Sequence, residues 1–191
     1  MTGRTLKTIL LGAVLMPALF AQGKKEQIPA GEWPRYKRDL AGTVYSPLAQ
    51  ISTQNVAKLT PAWKYLLRTE KERAAPATGF SYSEITPIVV GGVMYLTAGS
   101  RVLALDPSTG KEIWVYELKQ GRLSTRGVTY WPGDKDNPPR IIVAAGGRMI
   151  ALNAKNGQPN PGFGKEGEVD LVVPYNSPPT IYKNLDRKSV V

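Results

Sequence analysis

The chain contains no cysteine and no histidine. Without cysteine there is no disulfide, no thiol nucleophile and no thiolate metal site, although the count is neutral about compartment. Without histidine there is no imidazole base, no Ser-His-Asp triad and no His-ligated zinc. Any chemistry must run on carboxylates, Lys, Arg, Tyr or a borrowed cofactor. Long apolar runs are also scarce. Ile9 to Phe20 spans 12 residues, whereas crossing a bilayer takes about 20 residues of helix. Preceded by Arg4 and Lys7 and followed by Ala21-Gln22-Gly23, this run has the length and flanks of an export-signal core. The expectation is a cleaved signal over residues 1–21 and a periplasmic or secreted mature chain, with inner-membrane association as an extension of that reading.

Acidic residues are few beside basic ones, 15 against 25, giving a net charge of +10, or +8 once Arg4 and Lys7 are removed. A basic balance suits nucleic acid, an anionic membrane surface or an acidic ligand. Here the cations are scattered over Lys24-Lys25, Arg35 to Arg38, Arg68 to Arg73 and Lys183 to Lys188. No basic stripe interleaved with aromatics forms, so solvated surface is the reading and no nucleic-acid partner is expected.

What the chain does have is strands and turns. Between Ser83 and Arg126, apolar runs at Pro87–Val90, Val93–Thr97, Arg101–Leu105 and Glu112–Tyr116 are separated by Gly91-Gly92, Ala98-Gly99-Ser100 and Asp106 to Lys111. Runs rich in β-branched and aromatic residues, bounded by Gly, Pro, Asp and Ser, predict a four-stranded antiparallel unit. The unit recurs. Ala104-Leu105-Asp106-Pro107-Ser108-Thr109-Gly110 is echoed 47 residues later by Ala151-Leu152-Asn153-Ala154-Lys155-Asn156-Gly157. Trp63 likewise precedes Trp114 by 51 residues. A period of about 40 to 50 residues with four strands per repeat predicts propeller blades. Within the repeat, Asp106 can cap the turn, Gly110 supplies positive φ, and Trp114 offers a flat face for a neighbouring blade. The second copy has no tryptophan in Gln158 to Gly164, and Phe163 is the candidate for its slot.

Ahead of the repeats, Gly23 to Ala30 reads as a flexible lead-in. In the stretch from Glu32 to Tyr65, Trp33, Tyr36, Leu40, Tyr45 and Leu48 are expected to pack against a sheet, and Ser52 to Leu59 to form a capped helical turn. This stretch, with its Trp-Pro, Asp-Leu-Ala-Gly-Thr and Tyr-Ser-Pro-Leu strings, resembles the opening of the pyrroloquinoline quinone (PQQ) dependent dehydrogenases, the quinoprotein glucose and alcohol dehydrogenases. The resemblance continues through the Ser83 repeat, through Ser124 to Leu171, and into Val173 to Leu185. It implies an all-β fold: two to three blades of an eight-bladed quinoprotein propeller over residues 32–185, after a signal at 1–21 and a lead-in at 22–31. The polar residues 186–191 read as a divergent or truncated tail, the end of a fragment or of a frameshifted gene.

The same resemblance implies cofactor contacts. Glu84, in Ser83-Glu84-Ile85-Thr86-Pro87, matches a family glutamate that touches PQQ, and Arg126, in Arg126-Gly127-Val128-Thr129-Tyr130, matches a family arginine that reaches it. Asn176 falls where many relatives carry a threonine against the cofactor. Chemically, a planar quinone with three carboxylates calls for a guanidinium fork and polar groups at the ring edge. A vicinal disulfide common in alcohol-oxidising relatives is absent from Glu117 to Thr125, as on the glucose dehydrogenase side of the family. The family's calcium ligands and catalytic aspartate belong to later blades, so no catalytic residue is assigned, and this piece is expected to be inactive alone.

In complete relatives a sugar or alcohol passes hydride to the quinone, calcium polarises the quinone, and a respiratory quinone or cytochrome takes the electrons. The alternative is a non-catalytic PQQ-like propeller scaffold, as in assembly lipoproteins and sensor domains. Such a scaffold needs only the docking tryptophans, and no lipoprotein cysteine follows the signal here.

Overall fold

A computed structural model of the protein describes residues 27–74, 84–182 and 185–187. The signal expected over residues 1–21 lies outside the described residues.

Four strands, β1 (Ile88–Val90), β2 (Val93–Ala98), β3 (Arg101–Leu105) and β4 (Glu112–Glu117), pair antiparallel in chain order. Val90 pairs with Val93, so Gly91 and Gly92 alone make the β1–β2 turn, at φ 57° and 75°. Two consecutive left-handed residues match the twist of the flanking strands, and glycine adopts that conformation at least cost. Side chains then alternate. Leu96, Ala98, Leu103 and Leu105 cover one face, while Tyr95, Val102, Ala104 and Trp114 cover the other.

The second sheet comprises β5 (Thr129–Trp131), β6 (Arg140–Asn153) and β7 (Glu168–Tyr175). Along β6, odd-numbered Ile141 and Val143 join the same cluster as even-numbered Ile150 and Leu152, while Ile142 joins the opposite cluster with Met149 and Ala151. A straight strand keeps one parity per face. The reversal places a turn at Gly146-Gly147, where Gly146 has φ 62°. β6 therefore doubles back, and the sheet carries the four-stranded plan that the repeat predicts. A third sheet opens with β8 (Thr180–Tyr182) and β9 (Leu185–Arg187), which takes strand structure into the first residues of the segment read as a tail.

The sheets stack through their alternating faces. Tyr95, Val102, Ala104 and Trp114 of the first sheet form one buried cluster with Ile141, Val143, Ile150 and Leu152 of the second. The far face of the second sheet gathers Trp131, Ile142, Met149 and Ala151 with Phe163, Leu171 and Ile181 of β8. Tryptophans lock each sheet to the chain that precedes it. Trp63 donates its Nε1–H to the Pro107 carbonyl at 3.0 Å and lies so close to Gly110 that a Cβ there would stand 2.6 Å from the ring. Trp114 repeats this one sheet on, donating to the Ala154 carbonyl at 2.9 Å, with Gly157 under its ring. Pro107 and Ala154 are equivalent in the 47-residue repeat. In the second sheet the Ala151 N–H bonds to the Gly167 carbonyl, and Ala151 is the counterpart of the Trp114 partner Ala104. The register thus puts a glycine where the third tryptophan would stand, and Phe163 instead packs on the cluster facing β8.

One expectation about the amino-terminal stretch is corrected. Tyr36, Leu40, Tyr45 and Leu48 do not pack on a sheet: all are exposed, Leu40 at 73%. The backbone here runs in turns rather than in register with a strand; Trp33 alone makes a ladder contact, with two 2.9 Å bonds to Val89. The buried Arg38 donates to the carbonyls of Ile28, Pro29 and Glu32. The helical turn near Ser52 is a short 3-10 helix, Val56–Lys58, with Asn55 at its amino end. A second helix, α1 (Glu70–Ala74), begins with Thr69 and Glu72 bonding each other's backbone N–H.

Candidate functional site

Glu84, Arg126 and Asn176 precede β1, β5 and β8 by three or four residues each. The candidates therefore sit at equivalent places, where the chain leads into the first strand of three successive sheets. Two of them meet. Arg126 donates from Nε to Glu84 Oε2 at 3.1 Å, with the side chains 55% and 51% exposed. Among the described residues neither Nη group of Arg126 has an acceptor and the second carboxylate oxygen of Glu84 has no donor. An ion pair this exposed contributes at most about 1 kcal/mol to stability. Its open edges are available to a ligand. Asn176 is exposed and bonds neither residue. Its approach to β5 is held by Thr129, whose hydroxyl donates to the Pro179 carbonyl at 2.6 Å.

The local backbone explains why Glu84 and Arg126 face each other. Leu123, Ser124 and Val128 are buried, anchoring the connection from β4 to β5 at both ends. The Ser124 N–H donates to the Ala144 carbonyl at 2.8 Å, and the Ser124 Oγ accepts the Arg126 N–H at 3.2 Å. Gly127 follows at φ 104°, where a Cβ would lie 2.6 Å from the Thr86 carbonyl oxygen. Two residues from Thr86 stands Glu84. Sequence reasoning missed Ser124, Gly127 and Thr129; the available signals were the glycine directly after Arg126 and a small polar residue beside the apolar Leu123.

Two further polar clusters lie elsewhere. Arg140, buried, places its guanidinium carbon 4.7 Å from the Trp131 ring centroid and 5.9 Å from that of Phe163, and donates to Asn137 Oδ1 at 2.6 Å. Burial pushes its pKa down from the ordinary arginine value. On the outer side, between β4 and β7, a cleft of about 680 Å³ is lined by Tyr116, Lys119, Arg148, Glu166, Glu168 and Asp170 among others. Arg148 spans it, bonding Glu168 Oε2 at 2.7 Å and the Gln120 carbonyl at 3.3 Å. Burial, followed by the nearby Glu168 carboxylate, raises the pKa of Tyr116. Among the described residues no three His, Cys, Asp or Glu side chains are grouped to hold a metal, and no helix is long and apolar enough to cross a membrane.

Comparison with known proteins supplies the family. Residues 33–188 match the model of the PQQ glucose/ethanol/alcohol dehydrogenase β-propeller domain. The chain is 34% identical over 177 residues to quinoprotein glucose dehydrogenase A of Acinetobacter calcoaceticus, covering 79% of this chain and 22% of that protein. It is 38% identical to the quinoprotein glucose dehydrogenase of Escherichia coli K12, covering 73% and 20%. Identity is again 38% to the dehydrogenase subunit of the quinone-linked alcohol dehydrogenase of Gluconobacter oxydans, over 67% and 16%. Among solved structures, the quinohemoprotein alcohol dehydrogenase ADHIIG of Pseudomonas putida superposes with a TM-score of 0.60 at 28% identity, covering 82% of this chain and 22% of that one. The chain thus spans about a fifth of the length of these glucose dehydrogenases.

Proposed function

The chain belongs to the PQQ glucose/ethanol/alcohol dehydrogenase β-propeller family, and from that premise we propose that it supplies the first two blades and the start of a third in an exported dehydrogenase oxidising a sugar or an alcohol. Bound at the propeller axis, PQQ would supply the hydride acceptor. The residues present fit such a group. Arg126 keeps both Nη groups open beside its bond to Glu84, and a guanidinium edge of this kind suits a carboxylate in bidentate geometry. Glu84 aligns that guanidinium through Nε and offers its second oxygen to a donor on the ring edge. Asn176, at the equivalent place before β8, can donate and accept from the third side.

Calcium, which in such enzymes polarises the quinone, has no ligand set among the described residues. The respiratory acceptor, a membrane quinone or a cytochrome, and the periplasmic location belong to the same proposal. Support for them comes from the quinone-linked alcohol dehydrogenase named above, from the 37% identity to the 1-butanol dehydrogenase (cytochrome c) of Thauera butanivorans, and from the signal-like run Ile9 to Phe20.

The observation that carries the proposal is the 3.1 Å meeting of Glu84 and Arg126 at the leading ends of adjacent first strands. It is tested by titrating PQQ into the 191-residue chain and following quinone absorbance. Arg126→Ala and Glu84→Ala should each weaken binding by roughly tenfold or more, the worth of a charge-assisted hydrogen bond. Melting temperature should hardly move, because the pair is exposed. Unchanged affinity in both variants overturns the assignment, and no binding by the wild-type chain favours the non-catalytic scaffold. Reduction of a dye by the isolated chain with PQQ, calcium and glucose or ethanol would contradict its being inactive alone.

A further inference from the structure

We propose that Ser124 and Gly127 are positioning residues that fix the Arg126 backbone opposite Glu84, and so aim its guanidinium at the carboxylate of the bound quinone acid. The inference rests on the PQQ reading of this site but is carried by a separate set of contacts. Arg126 is an exposed side chain with four rotatable bonds, and ordering such a chain costs on the order of 2 kcal/mol. Its direction must be set by the backbone beneath it.

That backbone is over-determined. Leu123 and Val128 are sunk in the core between the two sheets, each 3% exposed. Between them Ser124 is 2% exposed, its N–H spent on Ala144 and its hydroxyl oxygen receiving the Arg126 N–H. A buried hydroxyl oxygen without a partner would be costly; this one accepts the N–H of the residue whose placement matters. Gly127 closes the far side. Its left-handed φ of 104° and the approach of Thr86 leave no room for a Cβ, and this close passage of β5's lead-in against β1's lead-in brings residues 126 and 84 within reach. Ser124 and Gly127 touch no ligand themselves. They act through Arg126, and neither exchanges a proton in doing so.

The test compares Ser124→Thr with Ser124→Val, which have nearly equal volume and differ by the hydroxyl. In the Val variant PQQ affinity should fall about tenfold and the Arg126 amide should exchange about tenfold faster, whereas the Thr variant should stay within about twofold of wild type on both readouts. In an Arg126→Ala background the Thr and Val variants should bind PQQ equally, because the residue through which Ser124 acts is gone. Gly127→Ala gives a second route, since the added Cβ must separate Thr86 from Arg126 and remove the Glu84 dependence of the Arg126 Nε–H resonance. A Val variant that weakens binding equally with and without Arg126 would assign Ser124 to the fold alone and overturn the proposal. If the wild-type chain does not bind PQQ, the functional reading fails while amide exchange and the Nε–H resonance still decide the positioning. Unchanged signals in the Val and Ala variants would then overturn it as well.

Discussion

The Ala154 carbonyl collects two donors from the preceding sheet, the Tyr95 hydroxyl at 3.1 Å and Trp114 Nε1–H at 2.9 Å. Burial, and then the neighbouring Tyr130, push the Tyr95 phenol up to about 12 from 10.0. A raised folded-state value means that the neutral phenol stabilises the fold below pH 10, the ordinary value, and that this contribution is lost as pH rises towards about 12. Tyr95→Phe should therefore lose about 1 kcal/mol at neutral pH, one hydrogen bond with its partner still bonded to Trp114. It should also flatten the alkaline limb of the stability curve, as read by urea unfolding between neutral pH and pH 11. At this scale Glu84 and Arg126 were singled out by the family-like strings that hold them, and the structure brings the two side chains into contact. Ser124 and Tyr95 were not, because what a hydroxyl bonds to depends on which sheet folds over it, and no local pattern encodes that.

The turn between β3 and β4 is held by Asp106, whose Oδ1 accepts the N–H groups of Ser108 and Thr109 at 2.8 Å and 2.9 Å. These backbone bonds, Ser108 first, hold its carboxyl below the usual value. A depressed folded-state value contributes stability at neutral pH that is lost as pH falls through it. The second copy builds the same turn with Asn153, whose Oδ1 accepts the Lys155 N–H at 2.9 Å and which has no such titration. Asp106→Asn should keep the turn and remove part of the acid sensitivity, measured by comparing urea midpoints near pH 3 and pH 7; equal acid sensitivity in the variant would contradict the assignment. Gly110 and Gly157 are more demanding. Both have positive φ, 70° and 72°, and a Cβ at either would enter a tryptophan ring. Alanine at either position should cost about 2 to 4 kcal/mol from backbone strain and overpacking, readable as a fall in melting temperature. Strands β1 to β4 were legible because alternation and turn residues agree. The stretch Tyr36 to Leu48 was not, since large apolar residues in irregular backbone suggest a core without saying what covers it.

At the scale of the molecule, packing repeats one device: Trp63, in irregular chain, sits on the Gly110 turn of the first sheet, and Trp114, on β4, sits on the Gly157 turn of the second. Trp114→Ala should lose about 3 to 5 kcal/mol and uncouple the two sheets, giving two unfolding steps by calorimetry where the wild type has one. That stacking is also what sets β1 beside β5, and hence Glu84 beside Arg126. The 47-residue echo made the stacked order legible, while the loss of the third tryptophan at Gly167 needed the register of β7 to be seen.

The account turns on Arg126 meeting the quinone acid, and the most direct measurement is the Nε–H resonance of Arg126 in the 15N-arginine spectrum of the 191-residue chain as PQQ is added. The expected result is a saturable shift of that signal with the same midpoint as quinone absorbance, absent in Glu84→Ala when binding is lost. PQQ that binds while the Arg126 signal stays where it was would contradict the account.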